Sequence, residues 1–527
     1  MKIAIEGCCH GELNKVYGTI KLLEQKEQIK VDLVLICGDF QALRNKADLS
    51  SMAVPDKYKA MGDFCTYYQG TWKAPYPTIF IGGNHEASNY LWELYHGGWV
   101  AENIFYLGHA GVINFNGIRI GGISGIYNPH HYHNGHYEKI PYDHKDVRSA
   151  YHVRHYDVNK LLQIRQPLDI FLSHDWPRGV ERFGDLSSLL RFKKYFYKEV
   201  MTNSLGSIAN EDLLTQLKPD YWFAAHLHVK FPATVNHHAW KNKIYPPQTL
   251  NILGLPPNGQ QYTQDAGNPD EIRINDDEIQ ISDDDEDDSN VNEEDNDIDT
   301  MNEQRNLNQE EPLSTPSDET QQKNDEKVTR FLSLDKCLPQ RQFLQIVDIP
   351  SKNEDGFTYD LEWLAITRAM HPYLSLQRQP IPMPAEEELQ QAIKQEEMHL
   401  EMLIDSDDLN MTLPHSFEPT ADADTPDFNN DDIRRNLIPF LNPQTTSFCD
   451  LIGIENKINV HGQQPIQRPP PSSSSSSHQQ CQPSDTMQGL QVPEPGVTLR
   501  DEHTVASHEE LPETMESPSK KARLDEE

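Results

Sequence analysis

The first 250 residues of this sequence predict an α/β fold, in which helices cover a β-sheet. Short apolar runs alternate there with amphipathic segments, an order typical of strand–helix alternation. Each apolar run also ends in polar residues that are able to bind a metal or transfer a proton. Because ligands bind at the carboxyl ends of strands in such sheets, these polar residues are expected to share one site.

Charge and composition divide the 527-residue chain into two parts. Residues 1–250 contain 27 Lys and Arg against 24 Asp and Glu, a net charge of +3, together with 16 of the 23 His. Residues 251–527 contain 19 Lys and Arg against 58 Asp and Glu, a net charge of −39. Hydrophobic residues make up only 36% of the chain, which is low for a fully packed protein. The chemistry is therefore expected in the first part.

Five apolar runs of the first part are expected to be strands. They are MKIAIEG (1–7), VDLVLICGDF (31–40), TIFIGGNHE (78–86), DIFLSHDW (169–176) and DYWFAAHLHV (220–229). The second run is almost continuously apolar, as expected for a strand that is buried on both faces. Between the first two runs, the spacing of Val16, Ile20 and Leu23 predicts an amphipathic helix.

The second part contains one apolar island between two polar stretches. Residues 255–326 are acidic and contain few aromatic residues, a composition typical of a disordered linker. Residues 327–376 contain one strand-like and one helix-like run, which are too few for a core of their own. This C-terminal segment is expected to dock on the first domain, and residues 377–527 are expected to be a mostly disordered tail. Within the tail, residues 385–403 predict a helix, and an isolated, transient helix is favoured over a partner-binding one.

Cysteine usage and hydropathy indicate the cellular compartments in which the protein is expected. The seven cysteines form no C-x-x-C pair, which favours a reducing compartment. The apolar start of the chain is too short for the core of a signal peptide. No run approaches the ~18 consecutive apolar residues of a transmembrane helix, so a membrane span is excluded.

Five polar motifs follow the strand-like runs in order. They are GCCHG (7–11), GDF (38–40), GGNHE (82–86), SHDWP (173–177) and AHLHV (225–229). A two-metal site needs a bridging ligand, imidazoles for each ion and open positions for substrate. Asp39 is the natural bridge, since a carboxylate offers lone pairs to two cations. On one extended strand His226 and His228 would point the same way, and at the end of a strand each can face a different ion. Unrelated structural histidines are the alternative, which the ordered series disfavours.

The motif series resembles the calcineurin-type metallophosphoesterase superfamily, whose pattern is D-x-H, G-D-x, G-N-H-D/E, a single His and G-H-x-H. Cys8 stands in place of the first Asp, and Ala225 in place of the Gly before the last His pair. Together with Cys8, the runs GCCHGELNKVY, CGDFQALRN, FIGGNHEASN, FLSHDWP and WFAAHLHVKF resemble the RNA lariat debranching family within it. The resemblance covers residues 1–235 and resumes at FLSLDKCLPQRQFLQI. It implies a metallophosphoesterase β-sandwich flanked by helices.

The resemblance also implies roles for individual residues. One divalent ion would be held by Cys8, His10, Asp39 and His228, and a second ion by Asp39, Asn84, His174 and His226. His85 would protonate the leaving ribose oxygen. The implied substrate is branched lariat RNA, cleaved at its 2′-5′ phosphodiester bond. Such cleavage independently requires an activated hydroxide, charge neutralisation and a proton for the leaving oxygen.

Cys8 bears on the identity of the metals. A thiolate is a soft ligand that favours Fe²⁺ or Zn²⁺ over Mg²⁺, and Mn²⁺ remains compatible through the other ligands. In the alternative interpretation, a neutral Cys8 thiol lines the pocket without coordinating an ion.

A segment rich in His and Tyr, about residues 124–157, is expected to be a long functional loop, because it lacks core periodicity through Tyr142. Aromatic and imidazole rings stack on unpaired bases, and Arg binds phosphate. The resemblance implies that this is the lariat-recognition loop. A further metal site is a weaker alternative, since the His spacing is irregular. The substrate-binding candidates are Tyr127, His130, His131, Tyr132, His133, Tyr137, Arg148 and Arg154.

The location is predicted from a basic cluster near the end of the sequence together with the resemblance. Lys520, Lys521 and Arg523 are similar to a nuclear import signal, and intron lariats are nuclear, so a nuclear protein is expected. Splicing or RNA-turnover proteins are candidate partners of the tail, and a monomer is favoured. Cys8 and the loop rich in His and Tyr argue against the alternative hypothesis of a general phosphoesterase. The complete series of metal ligands argues against the alternative hypothesis of a non-catalytic scaffold.

Overall fold

The computed structural model describes residues 1–255 and 327–464. Its strands are β1 Lys2–Glu6, β2 Leu33–Ile36, β3 Thr78–Phe80, β4 Gly98–Ala101, β5 Ile104–Tyr106, β6 Ala110–Phe115, β7 Ile118–Ile123, β8 Ile170–Ser173, β9 Tyr221–Ala224, β10 Phe231–Asn236, β11 Val328–Ser333, β12 Leu344–Asp348 and β13 Phe357–Tyr359. Its helices are α1 Leu13–Glu27, α2 Phe64–Tyr68, α3 Ser88–Glu93, α4 Pro129–Tyr132, α5 His155–Leu162, α6 Leu186–Phe192, α7 Phe196–Thr202, α8 Ile208–Leu217, α9 His237–Lys241, α10 Pro247–Leu253, α11 Leu361–Met370, α12 Glu386–Asp405, α13 Asn430–Asn436 and α14 Pro443–Leu451.

The strands form two sheets that pack as a sandwich, which confirms the predicted fold class. One sheet has the order β12-β1-β2-β3-β5-β4, and the other has the order β10-β11-β9-β8-β7-β6-β13. Strands β1, β2 and β3 are parallel neighbours in the first sheet, and β8 and β9 are parallel neighbours in the second. All five strands that were expected to carry site residues are therefore central and parallel.

Successive residues of these strands face opposite sides, and both sides are buried. Ile3 and Ile5 of β1 lie in the core between the sheets, whereas Ala4 lies in the outer core together with residues of α1. In β9, Phe223 faces the core between the sheets and Trp222 faces the outer helices. Burial on both faces explains why the strand sequences are almost continuously apolar rather than alternating.

The C-terminal segment is part of both sheets. β11 lies between β9 and β10, parallel to the first and antiparallel to the second. β12 pairs with β1 at one sheet edge, and β13 pairs with β6 at another. The predicted docking is therefore an insertion of strands, and residues 1–250 alone do not complete the sandwich.

The structure corrects the prediction of a mostly disordered tail for residues 377–464. α12 packs along α11 and buries Leu389, Ile393 and Leu400, so the predicted isolated helix is part of the core. Arg368 on α11 donates to Glu396 on α12 at 2.6 Å. The sequence did not reveal this packing because the apolar residues are sparse and their partners lie in distant segments. Residues 256–326 and 465–527, with the predicted linker and the basic cluster, lie outside the described residues.

The last described residues return to the first sheet. The Gln444 side chain accepts a hydrogen bond from the Trp99 N–H and donates one to the Trp99 carbonyl, both at 2.8 Å. The side chain thus covers part of the exposed edge of β4, as an additional strand would. On α2, the Tyr68 hydroxyl exchanges hydrogen bonds with the backbone of Ala421. Over the described ranges, no helix is long and apolar enough to cross a membrane.

Leu400→Ala tests whether α12 belongs to the folded core. Leu400 is fully buried, so its truncation is expected to lower the free energy of unfolding by about 2–5 kcal/mol. Met402 lies on the same helix and is 69% exposed, so Met402→Ala is the matched control, with an expected change within about 0.5 kcal/mol. Urea denaturation of the full chain measures both. Equal stability of the two variants would show that α12 does not pack as described.

Candidate metal centre

The polar motifs at the five strand ends meet at one end of the sandwich. The Nε2 atoms of His10 and His228 lie 3.4 Å apart, and His174 Nε2 lies 3.2 Å from Asn84 Oδ1. Asp39 lies between these two groups, with Oδ2 at 3.6 Å from His10 Nε2 and Oδ1 at 3.4 Å from His174 Nε2. The predicted ligands therefore form two donor groups that share one carboxylate.

Asp39 has the environment of a bridging ligand. Its side chain is buried; Oδ1 accepts the His85 N–H at 2.8 Å, and Oδ2 has no hydrogen-bond partner. Burial alone would raise the pKa of Asp39, but the neighbouring His174 and His85 hold it well below the usual range. A buried, ionised carboxylate with an unpartnered oxygen is costly unless a cation completes its coordination.

The first donor group consists of Cys8, His10, Asp39 and His228, whose ligand atoms all lie within 4.8 Å of one another. Burial lowers the pKa of His10 to about 4 and that of His228 to about 2, so both imidazoles are neutral and offer a lone pair. Burial, together with the Asp39 charge, raises the pKa of the Cys8 thiol. A bound cation would deprotonate that thiol. This set of S, N and O donors fits a divalent transition metal.

The second donor group consists of Asp39, Asn84, His174 and His226. His174 Nδ1 lies 2.7 Å from the Cys37 carbonyl. Because that carbonyl can only accept, Nδ1 is assigned the proton, and Nε2 is left to face Asp39 and Asn84. The His174 and His226 rings have centroids 5.0 Å apart. Burial lowers the pKa of His226 to about 3, so this imidazole is also neutral. The group fits a second cation.

Four of these residues have strained backbone conformations. His10, Asp39, His226 and His228 have φ values of 48°, 48°, 62° and 48°, in the left-handed region that non-glycine residues seldom occupy. β9 ends at Ala224, so the two last histidines do not lie on an extended strand as predicted. The left-handed turns instead direct His228 toward His10 and His226 toward His174.

Two glycines make room for the ligands. A Cβ on Gly38 would lie 2.2 Å from His174 Nδ1, and a Cβ on Gly83 would lie 2.2 Å from Asp39 Oδ1. Both distances are too short for any side chain. The glycines of GDF and GGNHE thus allow the backbone to approach the ligands directly.

His85 lies beside the donor groups. Its ring centroid is 5.7 Å from that of His10, and the side chain is half-buried. Its backbone N–H is bound to Asp39, and its Nδ1 atom is buried without a partner. The backbone bond holds His85 at the edge of the centre.

Comparisons with known proteins agree with this candidate site. A family model of calcineurin-like phosphoesterases matches residues 1–230, and a model of the lariat debranching enzyme C-terminal domain matches residues 326–457. The lariat debranching enzyme of Schizosaccharomyces pombe is 43% identical over 482 residues, which cover 89% of this chain and 99% of that protein. The chain belongs to the lariat debranching enzyme family.

Relatives in other eukaryotes support the same assignment. Lariat debranching enzyme A of Xenopus laevis is 43% identical, over 86% of this chain and 70% of that protein. The lariat debranching enzyme of Arabidopsis thaliana is 42% identical, over 86% of each chain. Membership of the debranching family and the phosphoesterase match make this chain a metal-dependent phosphodiesterase. Calcineurin-like phosphoesterases use a dinuclear metal centre, in agreement with the two donor groups.

The debranching family's predicted recognition loop begins next to this centre. Gly125 donates its N–H to the Gly82 carbonyl at 2.8 Å, and Gly82 donates its own N–H to Ser124 Oγ at 2.9 Å. The Tyr127 backbone is hydrogen-bonded to the carboxylate of Asp175, the residue after His174. The start of the loop is therefore held against two of the metal-binding motifs.

The predicted substrate-binding residues occupy several environments. The rings of Tyr127 and Tyr132 lie 5.2 Å apart and are half-buried. His130, His133 and Arg148 are exposed. His131 is half-buried and stacks on His152, with their Nδ1 atoms 2.8 Å apart. The guanidinium groups of Arg154 and Arg378 lie 5.8 and 5.7 Å from the centre of the Tyr137 ring.

Arg154 does not fit its predicted role as a phosphate ligand. Its side chain is fully buried and forms an ion pair with Glu138. It also donates to the His131 and Ser149 carbonyls at 3.3 and 3.2 Å. With its donors directed into the protein, Arg154 fixes the fold of the loop and leaves the exposed surface to its neighbours.

Sequence reasoning overlooked Glu86. This fully buried side chain accepts the N–H groups of Phe40, Gln41 and Gly83 at 2.8, 2.8 and 2.9 Å. Burial raises its pKa to about 8, an effect that these hydrogen bonds oppose. Glu86 therefore joins the loops that carry Asp39 and Asn84. The available signal was its place in the GGNHE motif.

Lys336 was also overlooked. It pairs with Cys8 in an isolated parallel bridge, flanked by hydrogen bonds from Cys8 N–H to Asp335 and from Cys337 N–H to the Cys8 carbonyl. Its charge contributes to the low pKa values of His10 and His228, which places the ammonium near the first donor group. The available signal was the polar run DKC directly after the apolar run of β11.

Proposed function

We propose that this protein hydrolyses the 2′-5′ phosphodiester bond at the branchpoint of excised intron lariats and thereby linearises them. The observation that carries the proposal is Asp39 between two complete donor groups, with His85 at their edge, in a chain of the lariat debranching enzyme family. This arrangement supplies the parts that phosphodiester hydrolysis requires.

Each part of the site has a distinct task. Two bound divalent ions would supply an activated hydroxide and neutralise charge on the phosphate. Asp39 spaces the two donor groups, and Glu86 fixes the loops that carry them. His85 donates a proton to the departing 2′-oxygen, which is a poor leaving group without one. A positioned general acid contributes about 10²–10⁴-fold to the rate.

The donor set favours Fe²⁺ and Zn²⁺ as the physiological ions. The Cys8 sulfur lies in the first donor group, and thiolate favours borderline and soft metals over Mg²⁺. Mn²⁺ suits the carboxylate and amide oxygens of Asp39 and Asn84. These choices are proposals, as is a nuclear location, which rests on the nuclear origin of intron lariats and on the basic cluster of Lys520, Lys521 and Arg523.

The deciding experiment compares a branched RNA with a linear RNA that has only 3′-5′ bonds. The full chain, purified without oxygen, is loaded separately with Fe²⁺, Zn²⁺ or Mn²⁺. Cleavage of the branched RNA at the 2′-5′ bond alone is expected with at least one metal. Equal cleavage of both RNAs, or preferred turnover of a simple aryl phosphate, would instead indicate a general phosphoesterase. No cleavage with any metal would contradict the proposal.

A further inference from the structure

Exposed aromatic residues are concentrated in one short part of the surface. Within residues 1–255 and 327–464, five Phe, Tyr and Trp side chains are more than about a third exposed, and three of these lie within six residues. Phe192 is 78% exposed, Tyr195 57% and Tyr197 54%. They lie at the end of α6, in the turn that follows and at the start of α7.

These side chains are not needed by the core. Leu189 on α6, and Phe196 and Val200 on α7, anchor the two helices in the core under the second sheet. Buried residues recur every three or four positions along this stretch, so the helices present their remaining aromatic rings to solvent. Large exposed aromatic groups are unfavourable in water, and their concentration indicates a binding surface.

The same stretch is strongly basic. Residues 191–198 contain four basic and no acidic residues. Among the residues that the structure describes, none of these four cations forms an ion pair with a carboxylate. The Lys193 ammonium lies 5.8 Å from the centre of the Tyr195 ring. Lys193 is buried, whereas Arg191, Lys194 and Lys198 are exposed. The three exposed aromatic residues and the three exposed cations are called here the aromatic–basic patch; its members are Arg191, Phe192, Lys194, Tyr195, Tyr197 and Lys198.

Within the stretch that carries the aromatic–basic patch, the buried Lys193 acts on the C-terminal segment. Burial raises the pKa of Asp335, and the nearby cations of Arg341, Lys193 and Lys336 oppose this rise. Lys193 is therefore close to Asp335, whose backbone carbonyl accepts the Cys8 N–H. The stretch that carries the patch is thus connected, through Lys193 and Asp335, to the segment that is hydrogen-bonded to Cys8.

We propose that the aromatic–basic patch binds an unpaired RNA strand that extends from the branchpoint, outside the recognition loop. The proposal rests on the proposed function for the identity of the substrate. Bases stack on exposed aromatic rings without sequence preference, and Lys and Arg bind the phosphates between them. A protein partner fits less well, because Lys is depleted from protein–protein interfaces whereas a polyanion needs it.

The test distinguishes RNA binding at the aromatic–basic patch from the cleavage reaction at the branchpoint. The triple variant Phe192→Ala/Tyr195→Ala/Tyr197→Ala is compared with Tyr58→Ala/Trp72→Ala, which removes the other two exposed aromatic residues. Two branched RNAs are used, with unpaired arms of about 2 or about 15 nucleotides, since single-strand sites span about 4–16 nucleotides. Binding of a fluorescent linear RNA of about 15 nucleotides is measured by anisotropy at several salt concentrations.

The triple variant is expected to bind the linear RNA at least about tenfold more weakly. Its KM for the long-armed substrate should rise by a similar factor, with kcat unchanged, while short-armed turnover and the control variant stay within about twofold. Lys194→Glu/Lys198→Glu, which keeps the rings, should weaken binding as well and flatten its salt dependence. This second variant guards against misfolding as the cause.

Unchanged linear-RNA affinity in both patch variants would overturn the proposal. Equal losses on short-armed and long-armed substrates would overturn it too, because they would place the defect at the branchpoint. Linear-RNA binding does not depend on cleavage. If the wild-type chain cleaves no branched RNA, the proposed function fails, whereas a binding loss confined to the patch variants would still support an RNA-binding surface.

Discussion

Replacing Asp39 with Asn is expected to lower the rate of branched-RNA cleavage by about 10⁴-fold or more. Asp39 faces both donor groups with its two carboxylate oxygens, and Asn keeps its shape while removing its charge. Each ion of a two-metal site supplies several kcal/mol of transition-state stabilisation, and each 1.36 kcal/mol is a factor of ten. Single-turnover cleavage, together with elemental analysis of bound metal, measures the effect.

The metal content makes this prediction specific. The wild-type chain is expected to hold two ions and Asp39→Asn fewer, since its remaining oxygen cannot bridge two cations as a carboxylate does. Asp348→Asn is the matched control, because Asp348 is half-exposed and pairs with Lys2 at the start of β1, whereas the donor groups lie beyond the end of that strand. Its activity and metal content should match the wild type. Cleavage by Asp39→Asn within about tenfold of the wild-type rate would show that Asp39 does not bridge two ions.

The strands and the site residues could be predicted from sequence because both leave local signals. Central parallel strands are buried on both faces, so β2 and β8 appear as short, continuous apolar runs. Parallel strands bring their carboxyl ends to one edge. Polar residues directly after such runs, such as Asp39 and His174, are therefore brought together in space although they are far apart in sequence.

The rest could not be predicted because it depends on contacts between distant segments. From sequence alone Leu400 is an ordinary apolar residue of a helix, because its burial depends on the packing of α11 against α12. From sequence alone Arg154 is a candidate phosphate ligand, but in the structure it is buried in an ion pair with Glu138. The left-handed backbone at His226 and His228 leaves no compositional signal, since neither residue is the glycine that usually marks such a conformation.

Sequence composition also concealed the aromatic–basic patch. The net charge of −36 describes a chain whose acidic excess lies entirely after residue 250. Phe192 and Phe196 look equivalent in the sequence, yet one is exposed and the other is buried. Only the anchoring of α7 by Phe196 and Val200 shows which rings remain available to a ligand.

Replacing His85 with Ala is expected to lower kcat for branched RNA by about 10²–10⁴-fold while both ions remain bound. The Asp39 contact of this residue is made by its backbone N–H, so the substitution leaves that contact and both donor groups in place. Chemistry is lost because the 2′-oxygen then departs without a positioned proton donor. Single-turnover kinetics and metal analysis of the same preparation separate the two effects.

A modified substrate distinguishes an acid from a residue that merely shapes the site. When sulfur replaces the bridging 2′-oxygen, the leaving group is a stable thiolate that needs no proton. The His85→Ala variant should then cleave this substrate within about tenfold of the wild-type rate, whereas Asp39→Asn should remain inactive on it. His130→Ala is the matched control, because His130 is an exposed imidazole of the recognition loop and should affect KM before kcat. Equal defects of His85→Ala on the oxygen and sulfur substrates would contradict its assignment as the proton donor, and would place His85 with the residues that position the phosphate.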